Sequence, residues 1–263
     1  MTWEMIGVLA AMAFCAGFFD AIAGGGGLIT LPALFLAGVE PISALATNKF
    51  QASAASLSAT AVFARKGMIE WREARFLIFF GLLGGSGGAL LVSSVNRQWL
   101  EACVPVLLLL VAVYFAFSPK LGNEARRERI SILLFSFTVA PLLSFYDGVF
   151  GPGTGSFFMV GFVLLCGMGM MRAIGFTKLA NASSNVGSLS IFIAKGAVLW
   201  PLAVAMALAS FVGAQLGARA AVRVGPRLIK PMVIVVCLAL AIKLLSVESN
   251  SLRVAFFELL RTW

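Results

Sequence analysis

The stretch ALATNKFQASAASLSATAVFARKGMIEW (44–71) returns as AIGFTKLANASSNVGSLSIFIAKGAVLW (173–200), aligned without a gap. The offset is that between Lys49 and Lys178, and identities include Ala44/Ala173, Phe63/Phe192, Lys66/Lys195, Gly67/Gly196 and Trp71/Trp200. The register carries on through Gly84/Gly213 and Gly88/Gly217. Upstream, FFDAIAGGGG (18–27) answers FYDGVFGPGTG (145–155), with Asp20 matched to Asp147 and a slip of two residues between the copies. Each copy thus sets one lysine and one aspartate within long apolar runs, where ionised groups are expensive and tend to mark pathways. A duplicated apolar chain with such charges and glycine breaks at matching places predicts a transporter.

Composition supports a bilayer as solvent. Of 263 residues, 60% are hydrophobic and 12% charged, with a mean hydropathy of +1.00. Ten apolar segments can be drawn, at 3–23, 28–38, 42–64, 75–95 and 103–118, then 130–149, 156–168, 172–194, 198–221 and 230–247. Two of them, 28–38 and 156–168, fall short of the ~20 residues a helix needs to cross. Each follows a glycine-rich break, GGGG (24–27) or GPGTG (151–155). The predicted fold is therefore all-α and polytopic, with about eight full transmembrane helices, two short broken segments and two inverted repeats. The repeats are expected over 1–122 and 123–247, followed by a short tail, 248–263. The start, MTWEMIGVLAAMAFCAGFFD, lacks a basic leader and a small-residue cleavage site, and reads as the first membrane helix.

The net charge of +9 is read as topology rather than nucleic-acid binding. Basic clusters stand at Arg65/Lys66/Arg72/Arg75, Lys120/Arg126/Arg127/Arg129 and Arg219/Arg223/Arg227/Lys230. Placing all three in the cytoplasm favours full crossing by the short segments, giving five crossings per repeat with both termini outside. Gly84/Gly88, Gly213/Gly217 and Gly81/Gly85 have the spacing that lets helix backbones approach closely.

Three elements are candidates for binding. Lys49 and Lys178 enter from opposite faces of an inverted repeat and would straddle the midplane, an arrangement suited to an anion. The alternative is a structural lock in which Asp20 neutralises Lys49 and Asp147 neutralises Lys178. The glycine breaks offer successive backbone N–H groups and helix N-termini, which favour oxyanions without needing a proton. Gly24, Gly25, Gly26 and Gly27 form one loop, and Gly151, Gly153 and Gly155 the other. Of these, Gly26 and Gly153 are expected to need positive φ or close backbone approach. A polar stripe follows each lysine, and Asn48, Gln51, Thr177 and Asn181 lie nearest to it. The remaining hydroxyls either bond to neighbouring helices or line a wet cavity.

Catalysis and metal binding have no support. The chain has no histidine, and Cys15, Cys103, Cys166 and Cys237 stand singly in apolar segments as expected core packers. GPGTGS lacks the Gly-Lys-Ser/Thr end of a phosphate loop, and no serine nucleophile motif is present. Neither an enzyme nor a cofactor is expected.

GFFDAIAGGGGLITLPAL (17–34), ALATNKFQ (44–51), FYDGVFGPGTGSFF (145–158) and IGFTKLANASSNVGS (174–188) together resemble the TauE/SafE family of membrane anion permeases, also called the sulfite exporter or TSUP family. The likeness covers nearly the whole chain, and the second glycine motif looks most like a bacterial permease subgroup. The resemblance implies a multi-pass protein of the bacterial inner membrane that exports or takes up small anions such as sulfite, thiosulfate or organosulfonates, with no cofactor. The family's lysine and asparagine motifs carry over to Asn48, Lys49, Lys178 and Asn181, and its glycine loops to 24–27 and 151–155. Pro152 and Thr154 interrupt the second loop, so the two half-sites should differ in shape. The expected partners are a small anion and the lipid bilayer. A proton or sodium as coupling ion and a homo-oligomer are compatible with the sequence. An anion-selective channel and a non-transporting membrane scaffold are the rival readings.

Overall fold

The computed structural model describes residues 2–95 and 127–224. The expected segments 103–118 and 230–247, the 122/123 repeat boundary and the 248–263 tail lie outside these residues, as do Cys103 and Cys237. Eight helices and no strand make up the described chain: α1 Trp3–Ala23, α2 Gly27–Leu36, α3 Pro41–Arg65, α4 Trp71–Val92, α5 Ile132–Val149, α6 Thr154–Leu164, α7 Met170–Ala194 and α8 Trp200–Val224. Four of them, α1, α4, α5 and α8, are long and apolar enough to cross a membrane. Helices α3 and α7 have 25 residues each, ~37 Å of rise. They carry the lysines and the polar stripes, and lie buried inside the bundle rather than against lipid.

Helix directions follow from the contacts. Ser58 Oγ donates to the Phe211 carbonyl and Ser210 Oγ to the Gln51 carbonyl, so α3 and α8 run parallel. In the same way Ser86 Oγ donates to Gly187 O, and Arg172 reaches Glu73 at 2.7 Å, so α4 and α7 run parallel. Helix α1 lies against α8, and α5 against α4. Each half of the chain is therefore packed mainly against the other half.

The short helices return to the end they came from. The backbone N–H groups of Arg129 and Ile130 donate to Leu165 O at 2.9 and 3.1 Å, which ties the start of α5 to the end of α6. Met5 near the start of α1 and Val39 after α2 line one opening together with Leu199 at the far end. Ten residues of α2 and eleven of α6 reach only ~15 and ~16 Å. Their N-termini therefore meet near the middle of a ~30 Å hydrocarbon layer. This departs from the expected full crossing by the short segments: each short helix packs back along its predecessor as a hairpin. Because the whole hairpin returns, parity is kept. Arg65, Lys66, Arg72, Arg75, Arg127, Arg129 and Arg219 all gather at one end of the bundle. Lys66 and Lys195 are exposed at opposite ends. Single cysteines at these two positions, in a cysteine-free background, should be labelled from opposite sides by an impermeant maleimide, Lys66→Cys only from the cytoplasm.

The small residues serve two different helix contacts. A methyl on Gly84 or Gly88 would strike the α5 backbone at Pro141 or Phe145, and one on Gly81 or Gly85 would meet Ser183 or Ser184 of α7. Gly213 and Gly217 face the Phe14 and Phe18 carbonyls of α1 in the matching arrangement. Glycine spacing thus sets backbone approach, as expected in lipid.

Cysteine packing departs from expectation at Cys15, which is exposed on α1, whereas Cys166 is buried in the turn after α6. Burial, with the Glu128 carboxylate nearby, pushes the Cys166 thiol up to about 12. The thiolate fraction at neutral pH is then minute. Retained as the only cysteine, Cys166 should resist maleimide at about pH 7 and react once the protein is denatured.

Candidate functional site

The glycine loops cross backbone to backbone. A methyl on Gly24 would lie 2.7 Å from Gly155 C, and one on Gly27 3.5 Å from Pro152 Cα. Ser156 Oγ fixes the crossing by donating to Gly24 O at 2.9 Å. Beneath it lies a cavity of about 30 Å³, lined by Asp20, Gly25, Gly26, Gly27, Asn48, Lys49, Gln51, Ala52, Ala55, Asp147, Gly151, Gly153, Thr154, Gly155, Asn181 and Asn185. That volume suits one or two water molecules.

Both lysines are buried, and each pairs with the aspartate of the other half. Lys49 Nζ lies 2.9 Å from Asp147 Oδ1, and Lys178 Nζ 2.9 Å from Asp20 Oδ2. The expected lock of Lys49 with Asp20 and Lys178 with Asp147 is therefore corrected. The charged side chains reach across the site from α3 to α5 and from α7 to α1, although the helices themselves pack more closely as α1 on α3 and α5 on α7. The two pairs are not equivalent. Lys178 donates a hydrogen bond to Asp20. Lys49 Nζ has the Asp147 ion pair as its one partner among the described residues.

The first loop does form an anion-binding nest, but its anion is in the chain. Gly25 N and Gly26 N donate to Asp20 Oδ1 at 2.9 and 3.0 Å. The expectation that these two N–H groups face a ligand is corrected. Gly26 has φ −53°, so its requirement is the close approach of Asp20 Cβ, 2.9 Å from a would-be methyl. Gly153 has φ 86° and does occupy the left-handed region. Neither α2 nor α6 has a side-chain cap. The N–H groups of Gly27, Gly153 and Gly155 bond to no group among the described residues, and all three glycines line the cavity.

The polar stripes are mostly satisfied by backbone. Ser53, Ser56, Ser183 and Ser188 donate to carbonyls four residues back, and Thr47 accepts from Leu199 N. Asn48 Oδ1 accepts from Thr30 Oγ1. Asn48, Gln51 and Asn181 reach the cavity as the sequence suggested, whereas Thr177, Lys178 and Gly24 do not line it. Thr177 is buried beside Lys178 in sequence, and Gly24 is covered by Gly155. Sequence reasoning did not single out Thr154 or Asn185, which also line the cavity. Its one available signal was the spacing from Asn181 to Asn185, one helical turn on the same face.

The TauE/SafE sulfite exporter model matches residues 9–244. A "Probable membrane transporter protein ORF9" of Sinorhizobium sp. is 44% identical, over 97% of each chain. "Probable membrane transporter protein YfcA" of Escherichia coli K12 is 42% identical, over 92% of this chain and 90% of its own length. A more distant relative, YdhB of Bacillus subtilis, carries the same description at 25% identity over 81% of this chain. No solved structure matches. With a family model over most of its length, relatives described as membrane transporters rather than enzymes, and helices able to span a bilayer, this multi-pass bacterial membrane protein belongs to the TauE/SafE sulfite exporter family of membrane transporters.

Proposed function

We propose that this protein is a secondary transporter for a small anion, of the sulfur oxyanion or organosulfonate class, across the bacterial inner membrane. The observation that carries this reading is the convergence of the α2 and α6 N-termini, with the Gly27, Gly153 and Gly155 N–H groups unpaired among the described residues, on a cavity lined by the buried Lys49 ammonium, whose one partner among those residues is Asp147. Positive dipole ends and free N–H groups favour a negative ligand, and an ammonium adds directional donors. In this reading Gly27, Gly153, Gly155 and Lys49 hold the oxygens, and the amides of Asn48, Gln51, Asn181 and Asn185 complete the shell. Lys178 with Asp20 holds the first loop in shape. The repeats run over 1–122 and 123–247, and the basic end of the bundle lies in the cytoplasm.

A carrier is preferred to a channel because the matching family is described as an exporter. The name of the matching family, sulfite exporter, supports the choice of anion class.

The test is a thermal-shift screen of purified protein against sulfite, thiosulfate, methanesulfonate, isethionate, phosphate and chloride. Selective stabilisation by a sulfur oxyanion or sulfonate is expected, worth about 2.7 kcal/mol at a hundredfold excess over Kd. Saturable counter-flow of the same anion in vesicles should accompany it. Equal response to every anion, or unitary currents in planar bilayers, would overturn the carrier reading.

A further inference from the structure

The two carboxylates at the site are held very differently. Asp20 is engaged on both oxygens: Oδ1 takes the Gly25 and Gly26 N–H groups, and Oδ2 takes the Lys178 ammonium. Asp147 has the Lys49 ion pair and the Ser184 hydroxyl, with no backbone N–H among the described residues. Asp147 lines the cavity beside Lys49 and is buried at 4% exposure. It therefore occupies the place of an anion at the ammonium that the proposed substrate must reach.

The surroundings leave Asp147 few alternatives. Helix α3 presents Lys49, and α7 presents Ser184. From its own helix comes Tyr146, whose hydroxyl donates to Pro152 O. Helix α4 brings Gly88 and Gly85 against Gly148, and across the cavity Asp20 of α1 is tied to Lys178. Two lysines and two aspartates balance, so the site has no spare positive charge. A substrate anion entering beside an ionised Asp147 would give two negative groups one ammonium in a poorly solvated place. One of the two must lose its charge or leave.

We propose that Asp147 is the proton-coupling residue of this transporter, taking up one proton as the anion replaces its carboxylate at Lys49 Nζ. This rests on the reading of the cavity as an anion site. A proton adds to an Asp147 carboxylate oxygen, the Lys49–Asp147 ion pair opens, and the anion takes the freed ammonium. The Ser184 hydroxyl, now a donor to Asp147, can turn to accept from the protonated acid, so the buried acid keeps a partner. On the other side of the membrane the anion leaves, Asp147 re-pairs with Lys49, and the same proton is released. A monovalent anion then crosses with one proton and no net charge. By linkage, anion binding and Asp147 protonation each strengthen the other by the same factor.

The test uses the full-length protein in phosphatidylethanolamine–phosphatidylglycerol vesicles containing a pH-sensitive dye. The probes are methanesulfonate and thiosulfate, strong-acid anions with no neutral form that leaks across lipid. For the wild type, an inward methanesulfonate gradient should acidify the lumen at about one proton per anion, equally with sodium or choline as counter-cation. Wild-type affinity should weaken as pH rises, by up to tenfold per unit. Asp147→Asn, with its thermal stability checked, should bind with an affinity flat across pH and move no protons. Anion flux without luminal acidification, or flux that requires sodium, overturns the proposal while leaving the anion site standing. Persisting pH dependence in Asp147→Asn also overturns it. If neither probe binds or moves, the anion reading fails and the coupling proposal fails with it. The wild-type proton measurement stands even if the variant does not fold.

Discussion

Lys49→Met should abolish anion binding and destabilise the fold by about 3–5 kcal/mol, because it leaves the buried Asp147 carboxylate without its ammonium. The rescue identifies the partner. Asp147→Asn added to Lys49→Met removes the orphaned charge and should recover most of the lost thermal stability. Asp20→Asn added to Lys49→Met should recover none, and should lower stability further by orphaning Lys178. Neither double variant should regain anion binding if Lys49 holds the substrate. The measurements are thermal unfolding in detergent and the shift produced by thiosulfate or methanesulfonate on the same preparations. Recovery by Asp20→Asn instead would mean that the ion pairs are made within each half. Recovery of anion binding with Asp147→Asn would leave Lys49 a structural role alone.

Gly24→Ala should be the most damaging single methyl addition in the glycine loops. Gly24 has φ 70°, and its added methyl would meet three backbone atoms of Gly155 and Ser156 at 2.7 to 2.9 Å. Backbone at a crossing cannot turn aside as a side chain can. Strain from positive φ of about 1–3 kcal/mol therefore adds to crowding of similar size. Gly38→Ala is the control, since Gly38 has φ 76° but nothing within 4 Å of the added methyl. It should cost only the conformational part and leave anion binding intact. Equal loss of thermal stability in the two variants would show that the crossing of the loops adds nothing. Gly155→Ala should resemble Gly24→Ala, because its methyl would also meet Gly24 Cα and Asn181 Nδ2 at 2.8 Å.

The sequence by itself determined the duplication, the all-helical membrane fold, the two short helices and the burial of Lys49 and Lys178. These are properties of local pattern. Apolar run length sets which segments can cross, glycine runs stop helices, and an offset repeat is visible in one dimension. The close-packing role of Gly84, Gly88, Gly213 and Gly217 was legible for the same reason, since four-residue spacing already places residues on one helix face.

Tertiary structure alone decided how the site is wired. Lys49 and Asp147 come together from α3 and α5, and Lys178 and Asp20 from α7 and α1, across 158 residues in the second case. No local propensity encodes such a choice, because it follows from which half packs against which. Whether a short helix crosses or returns depended on the hairpin as a unit, shown by Arg129 meeting Leu165. The Gly25 and Gly26 N–H groups looked available in sequence, yet they are taken by a carboxylate five and six residues earlier. A buried donor is claimed by the acceptor that folding brings nearest, and that acceptor is fixed in three dimensions.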